Sequence, residues 1–129
     1  MKLMAIDYGE KRVGVASTDE SGTFALPRVV FKNDQSLLAE ILKFIEEEKI
    51  EKVVLGESKN TTGQPNPIQE EIEKFKSKLE ECGVSVLSHP ELFTTVEARR
   101  LQGSTEMTDA SAAALILKSY IDTLNNQNN

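Results

Sequence analysis

Residues Ala5 to Thr18 read AIDYGEKRVGVAST. Apolar Ala5 and Ile6 run into an acid, Asp7, the chain turns through Tyr8-Gly9, and a second alternating segment, Val13–Thr18, follows. Two short alternating segments around a glycine turn read as a β-hairpin. A carboxylate where a core strand runs out has two uses. It caps the turn, or it is one arm of a site for something positive, such as a metal ion.

Working outward, Leu3–Asp7, Val13–Thr18 and Thr23–Lys32 read as three successive strands, with Ser21-Gly22 as the second turn. Asp34 stands where it can cap a helix carrying Leu37, Leu38, Ile41, Leu42 and Ile45 at helical spacing. Lys52–Gly56, KVVLG, suits a buried parallel strand, and Glu57–Asn66 is a loop. Pro67 opens a helix with an apolar stripe of Ile68, Ile72, Phe75 and Leu79, and Gly83 stops it. Val84–Leu87 is a fifth strand. Thr94 and Glu97 form a capping box for a short helix, the last helix starts near Thr108-Asp109, and the tail from about 125 to 129 is polar and frays.

The order βββαβαβαα predicts an α/β fold, a five-stranded mixed sheet flanked by helices, in one domain spanning residues 1–129. A meander followed by two right-handed crossovers puts the first strand in the centre. Connection direction reverses there, and open sheets place ligands beyond the carboxyl ends of strands at such a point. Asp7, Glu57 and Glu91 would converge at that edge. Asp109 joins them if the last helix docks its N-terminus there, although a helix-start acid is also favoured simply by the helix dipole.

Clustered carboxylates repel, so a cation or a proton must offset them. Their hard oxygens suit Mg²⁺ or Mn²⁺, one ion or two, and a pair about 4 Å apart can support phosphodiester cleavage. Gly9 would let backbone approach a substrate, while Lys11 and Arg12 meet phosphate or merely form a solvated turn. His89 is the single histidine and lies beside this edge, as a proton relay or a structural group. Tyr8 and Phe93 either stack on a base or pack, and Cys82 reads as a buried inert thiol.

The chain has 129 residues, 39% hydrophobic and 28% charged, which is globular composition for one core. One cysteine excludes an internal disulfide, and no apolar run approaches the ~20 residues that cross a bilayer. The expectation is a soluble cytoplasmic protein with no membrane contact, monomeric or homodimeric. The net charge of −6 argues against a broadly basic nucleic-acid surface, though a local patch is still allowed.

AIDYGEKRVGVAST resembles the opening motif of the YqgF/RuvX family, described as Holliday junction resolvases and as pre-16S ribosomal RNA nucleases. VVLGESKNTTG, PELFTTVEARRL and TDASAAALILKSYID are similar to that family's later segments, in the right order across nearly the whole chain. The resemblance implies an RNase H-like fold and a divalent-metal nuclease acting on structured RNA or branched DNA. It implies Asp7, Glu91 and Asp109 as catalytic metal ligands, and Gly9, Lys11, Arg12, Asn60 and Thr94 as substrate-binding residues. Glu57 is a weaker metal candidate, since the family has an apolar residue there. Pro90 and Leu92 flank Glu91 where relatives have Asp and Arg, and Leu101–Thr108 carries no Lys or Arg. Those departures keep a second reading open, a weak or inactive RNase H-like module that binds nucleic acid or a protein. A third reading, nucleotide binding through the Asp-x-Gly turn, needs two lobes where this chain has room for one.

Overall fold

The computed structural model describes residues 1–57, 67–90 and 106–127. Strand β1 (Leu3–Tyr8) is followed by β2 (Arg12–Thr18), β3 (Ala25–Lys32), helix α1 (Leu37–Glu48), β4 (Lys52–Glu57), α2 (Pro67–Glu81), β5 (Val86–Pro90) and α3 (Glu106–Gln127). The five strands form one sheet in the order β3-β2-β1-β4-β5. β1 pairs antiparallel with β2 and parallel with β4, and β4 runs parallel to β5. The central position of β1 and the mixed sheet agree with the sequence reading. The short helix expected at Thr94 lies outside the described residues.

Strand alternation divides the core in two. Met4, Ile6, Val13, Val15, Val53 and Leu55 meet Leu37 and Ile41 of α1 and Ile72, Phe75 and Leu79 of α2. Leu3, Ala5, Ala16 and Val54 point the other way, against Ala113, Ile116, Leu117 and Ile121 of α3. Tyr8 belongs to the first side, its ring 5.4 Å from that of Phe75.

Several boundaries and environments differ from the expectations, each for a local reason. β3 starts at Ala25 rather than Thr23, because the Asp19 carboxylate accepts the Thr23 and Phe24 N–H groups at 3.0 and 3.3 Å and holds them in the turn. β5 starts at Val86 rather than Val84. The Val84 N–H still donates to the Leu79 carbonyl of α2 at 3.1 Å, so the chain has not yet left the helix exit at Gly83. Asp34 does not cap α1. Ser36 is the N-cap, and Asp34 Oδ1 instead accepts the Ser36 N–H at 2.9 Å in the preceding turn. Cys82 is exposed, not buried, since it falls one residue past α2. α3 begins at Glu106, two residues before Thr108, and continues through Gln127 into the tail expected to fray.

Candidate active site

β1 is an apolar strand whose penultimate residue is Asp7, only 6% exposed. Burying an ionisable carboxylate is costly unless a proton, a cation or hydrogen-bond donors compensate it. Alternation with Leu3 and Ala5 puts position 7 on the α3 side. Its cross-strand partner in β2 is Gly14, and on the β4 side the next position after the Ile6–Leu55 pair is Gly56. A glycine therefore stands on each side of Asp7 in the neighbouring strands.

The turn after Asp7 is tightly built. A Cβ on Gly9 would stand 2.5 Å from the Arg12 carbonyl oxygen, closer than side-chain carbons approach, so the turn requires glycine there. Asn33 braces the same turn from the far end of β3. Its N–H donates to the Lys11 carbonyl at 3.0 Å and its Nδ2 to the Gly9 carbonyl at 2.7 Å. Lys11 is exposed and Arg12 is half-buried at the start of β2, both one short turn from Asp7. Sequence reading missed Asn33, because nothing in the string Lys32-Asn33-Asp34 marks a partner 24 residues earlier.

Glu57 closes β4 and is half-buried. Two residues beyond Leu55 in the strand, it belongs by alternation to the α1/α2 side, opposite Asp7. Its charge still reaches His89. Burial, the larger influence, pushes the His89 pKa below the ordinary imidazole value, and the Glu57 carboxylate partly offsets that. His89 pairs with Gly56 in the sheet, so Asp7, Gly56 and His89 lie on adjacent strands at one level. The imidazole Nε2 lies 3.0 Å from Ser119 Oγ of α3, and the ring meets Tyr120 edge-on at 5.8 Å. No sequence signal linked residues 89 and 119.

Asp109 belongs to the first turn of α3, and Glu91 directly follows Pro90, the last residue of β5. Glu91, Asn60 and Thr94 lie outside the described residues, as does Phe93.

A central strand ending in a buried acid, within a 3-2-1-4-5 mixed sheet covered by helices, defines an RNase H-like fold of the resolvase kind. The fowlpox virus resolvase in complex with Holliday junction DNA superposes with a TM-score of 0.62, at 14% identity over 96% of this chain and 99% of that one. RuvC of T. thermophilus in complex with a Holliday junction substrate gives 0.61, at 16% identity over 96% of each chain. The chain belongs to the RuvX family, a nuclease family whose model, described as Holliday junction resolvase, matches residues 1–123. A relative from Desulforudis audaxviator, named "Putative pre-16S rRNA nuclease", is 35% identical over 95% of this chain and 94% of its own. Another of the same name from Caldanaerobacter subterraneus subsp. tengcongensis is 34% identical over 98% of this chain and 99% of its own. Among the described residues no helix is long and apolar enough to cross a membrane.

Proposed function

We propose that the chain is a divalent-metal-dependent nuclease that hydrolyses phosphodiester bonds in structured nucleic acid in the cytoplasm, with the 5′ end of precursor 16S rRNA as the first substrate to try and a four-way DNA junction as the second. The observation that carries this reading is the buried Asp7 carboxylate, at the carboxyl end of the central strand and flanked by two glycines. Asp7 with Glu91 and Asp109 would hold one or two Mg²⁺ or Mn²⁺ ions. A donor set made wholly of carboxylate oxygens fits such hard cations.

Held by these acids, a divalent ion would supply activation of the attacking water and stabilisation of the leaving oxygen. The protein supplies orientation. The glycine turn brings backbone close to the substrate at Gly9, and Asn33 holds that turn so that Lys11 and Arg12 present their charges to the phosphate. Asn60 and Thr94 complete the substrate contacts in this reading. Glu57 does not enter the ligand set, since its position faces away from Asp7.

The test is cleavage of labelled precursor 16S rRNA and of a four-way DNA junction, each with Mg²⁺, Mn²⁺ or EDTA, by wild type and Asp7→Asn. Metal-dependent cutting that disappears in the variant is expected, and the preferred substrate then separates RNA from DNA. A folded wild type that cuts neither, yet retains one of them in a salt-sensitive way, would replace this reading with that of a binding module.

A further inference from the structure

Large apolar side chains left in water are few, and they gather at one corner of the molecule. Among the described residues they are Met1, Phe24, Leu26 and Leu115, with Phe24 65% and Leu26 48% exposed. Phe24 and Leu26, at the start of β3, line one groove of about 350 Å³ with Ala114, Leu115 and Lys118 of α3. Met1 lies against the turn that leads into β3. Its ammonium donates to the Glu20 carbonyl at 3.4 Å, and its own carbonyl oxygen would stand 2.5 Å from a Cβ on Gly22. Single exposed apolar residues are ordinary, but a contiguous set rimmed by charge marks a surface for association.

We propose that this corner is the interface between two copies of the chain, related by a two-fold axis that brings Glu20 of one copy to Lys118 of the other. The charges around the groove choose the occupant. The chain carries a net −6, so its surface at large repels a second copy. Around the groove the balance is even, with the Met1 ammonium and Lys118 against Asp19 and Glu20. Glu20 and Lys118 are both exposed, and neither forms an ion pair among the described residues. Nucleic acid would meet the two carboxylates, and a strongly basic partner the two cations. A second copy meets neither conflict. In a two-fold interface residue i meets j and j meets i, so the turn of each copy faces the α3 wall of the other.

The fold shapes this contact in two ways. β3 is the outer strand of the sheet, and Pro27 within it has no N–H to offer, which blunts pairing by strand addition. Side chains must then carry the association. The groove also lies at the amino end of β1, since Ala25 pairs with Thr18 and the Thr18 hydroxyl accepts the Leu3 N–H at 2.9 Å. Asp7 stands toward the other end of that strand, so pairing here leaves the carboxyl edge of both copies open.

The experiment is sedimentation velocity of the full chain over a concentration series. It compares wild type, Phe24→Asp, Leu26→Asp, Glu20→Lys, Lys118→Glu and the double variant Glu20→Lys/Lys118→Glu, each checked for folding by thermal denaturation. Wild type is expected to show a monomer–dimer equilibrium. Phe24→Asp and Leu26→Asp should each weaken the dimer by about 30-fold or more. Either charge reversal alone should weaken it about tenfold, and the double variant, which restores opposite charges, should recover most of that loss. Lys43→Glu makes the same change of net charge at an exposed position of α1 and should leave the dimer unchanged. A wild type that is monomeric at every concentration overturns the proposal and leaves the groove to a different partner. A dimer that survives both Phe24→Asp and Leu26→Asp overturns it, as does a double variant no stronger than the single reversals. If Phe24→Asp does not fold, Leu115→Gln on the α3 wall reads the same contact, and an undiminished dimer in that variant overturns it.

Discussion

The two faces of the sheet are built from different materials. Toward α1 and α2 the strands present Met4, Ile6, Val13, Val15, Val53 and Leu55, all large or branched and all apolar. Toward α3 they present Leu3, Ala5, Ala16 and Val54, and at the carboxyl end Asp7, Gly14, Gly56 and His89. The first face excludes water and carries the bulk of the hydrophobic stabilisation. The second gives up buried volume so that a helix can come close, and accepts polar groups in return. The proposed chemistry and the bulk of the core thus fall on opposite sides of the same strands, and in β1 the two sides alternate residue by residue between Ile6, Asp7 and Tyr8.

Substitutions on neighbouring residues can break that division. Asp7→Asn is expected to lower the rate of metal-dependent cleavage by ~10³-fold or more, about 4 kcal/mol in the barrier, with little change in the thermal midpoint. A variant that unfolds instead would make Asp7 a stability residue and erase the contrast. Ile6→Ala should do the reverse, costing about 2–5 kcal/mol in urea denaturation while each folded molecule keeps its cleavage rate.

Ala5→Leu sharpens the comparison. It overpacks the α3 face by about 1–3 kcal/mol and should also reduce activity, because α3 must move away from the sheet. Equal stability loss without loss of activity would show that close approach of the helix is not needed for chemistry. Gly9→Ala forces open the turn against the Arg12 carbonyl, also at about 1–3 kcal/mol, and should raise KM more than it lowers kcat.

The smallest effect belongs to the α1 side. Glu48 accepts a 2.6 Å bond from Arg28, which also donates to Ser17 and lies over the Phe44 ring. The Arg28 hydrogen bond, more than its charge or that of Lys2, lowers the Glu48 pKa below its ordinary value of 4.5. A carboxylate with a lowered folded-state pKa stabilises fully above its unfolded value, and that contribution fades as pH falls through the folded one. Glu48→Gln should therefore be slightly less stable than wild type near neutrality and converge with it at the acid end. Parallel curves over the whole range would assign the contact to packing alone.

The sequence exposed the repeating parts of this architecture and missed the parts made by single distant contacts. Alternation in β1 and β2, the helical spacing from Leu37 to Ile45 and the short connections were enough to place β1 in the centre with its neighbours in order. Asp7 was legible because an acid ending an apolar strand breaks the pattern around it. The face of Glu57 was fixed by its phase relative to Leu55, which the expected convergence of acids did not take into account. The start of β3 depended on where the Asp19 carboxylate bonds, and that of β5 on how the chain leaves α2. The Asn33 brace and the His89–Ser119 contact join residues 24 and 30 positions apart. A three-dimensional meeting of two ordinary polar residues leaves no periodic trace.

The docking of α3 across the face that holds Asp7 also has a consequence in time. Residues emerge from the ribosome in order, and all five strands, with α1 and α2, precede Glu106 in the chain. A nascent chain can therefore complete its large-residue core while the Asp7 face is still uncovered. Asp109 arrives with the last described helix, so an unfinished or truncated polypeptide lacks part of the acid set that the proposed chemistry requires.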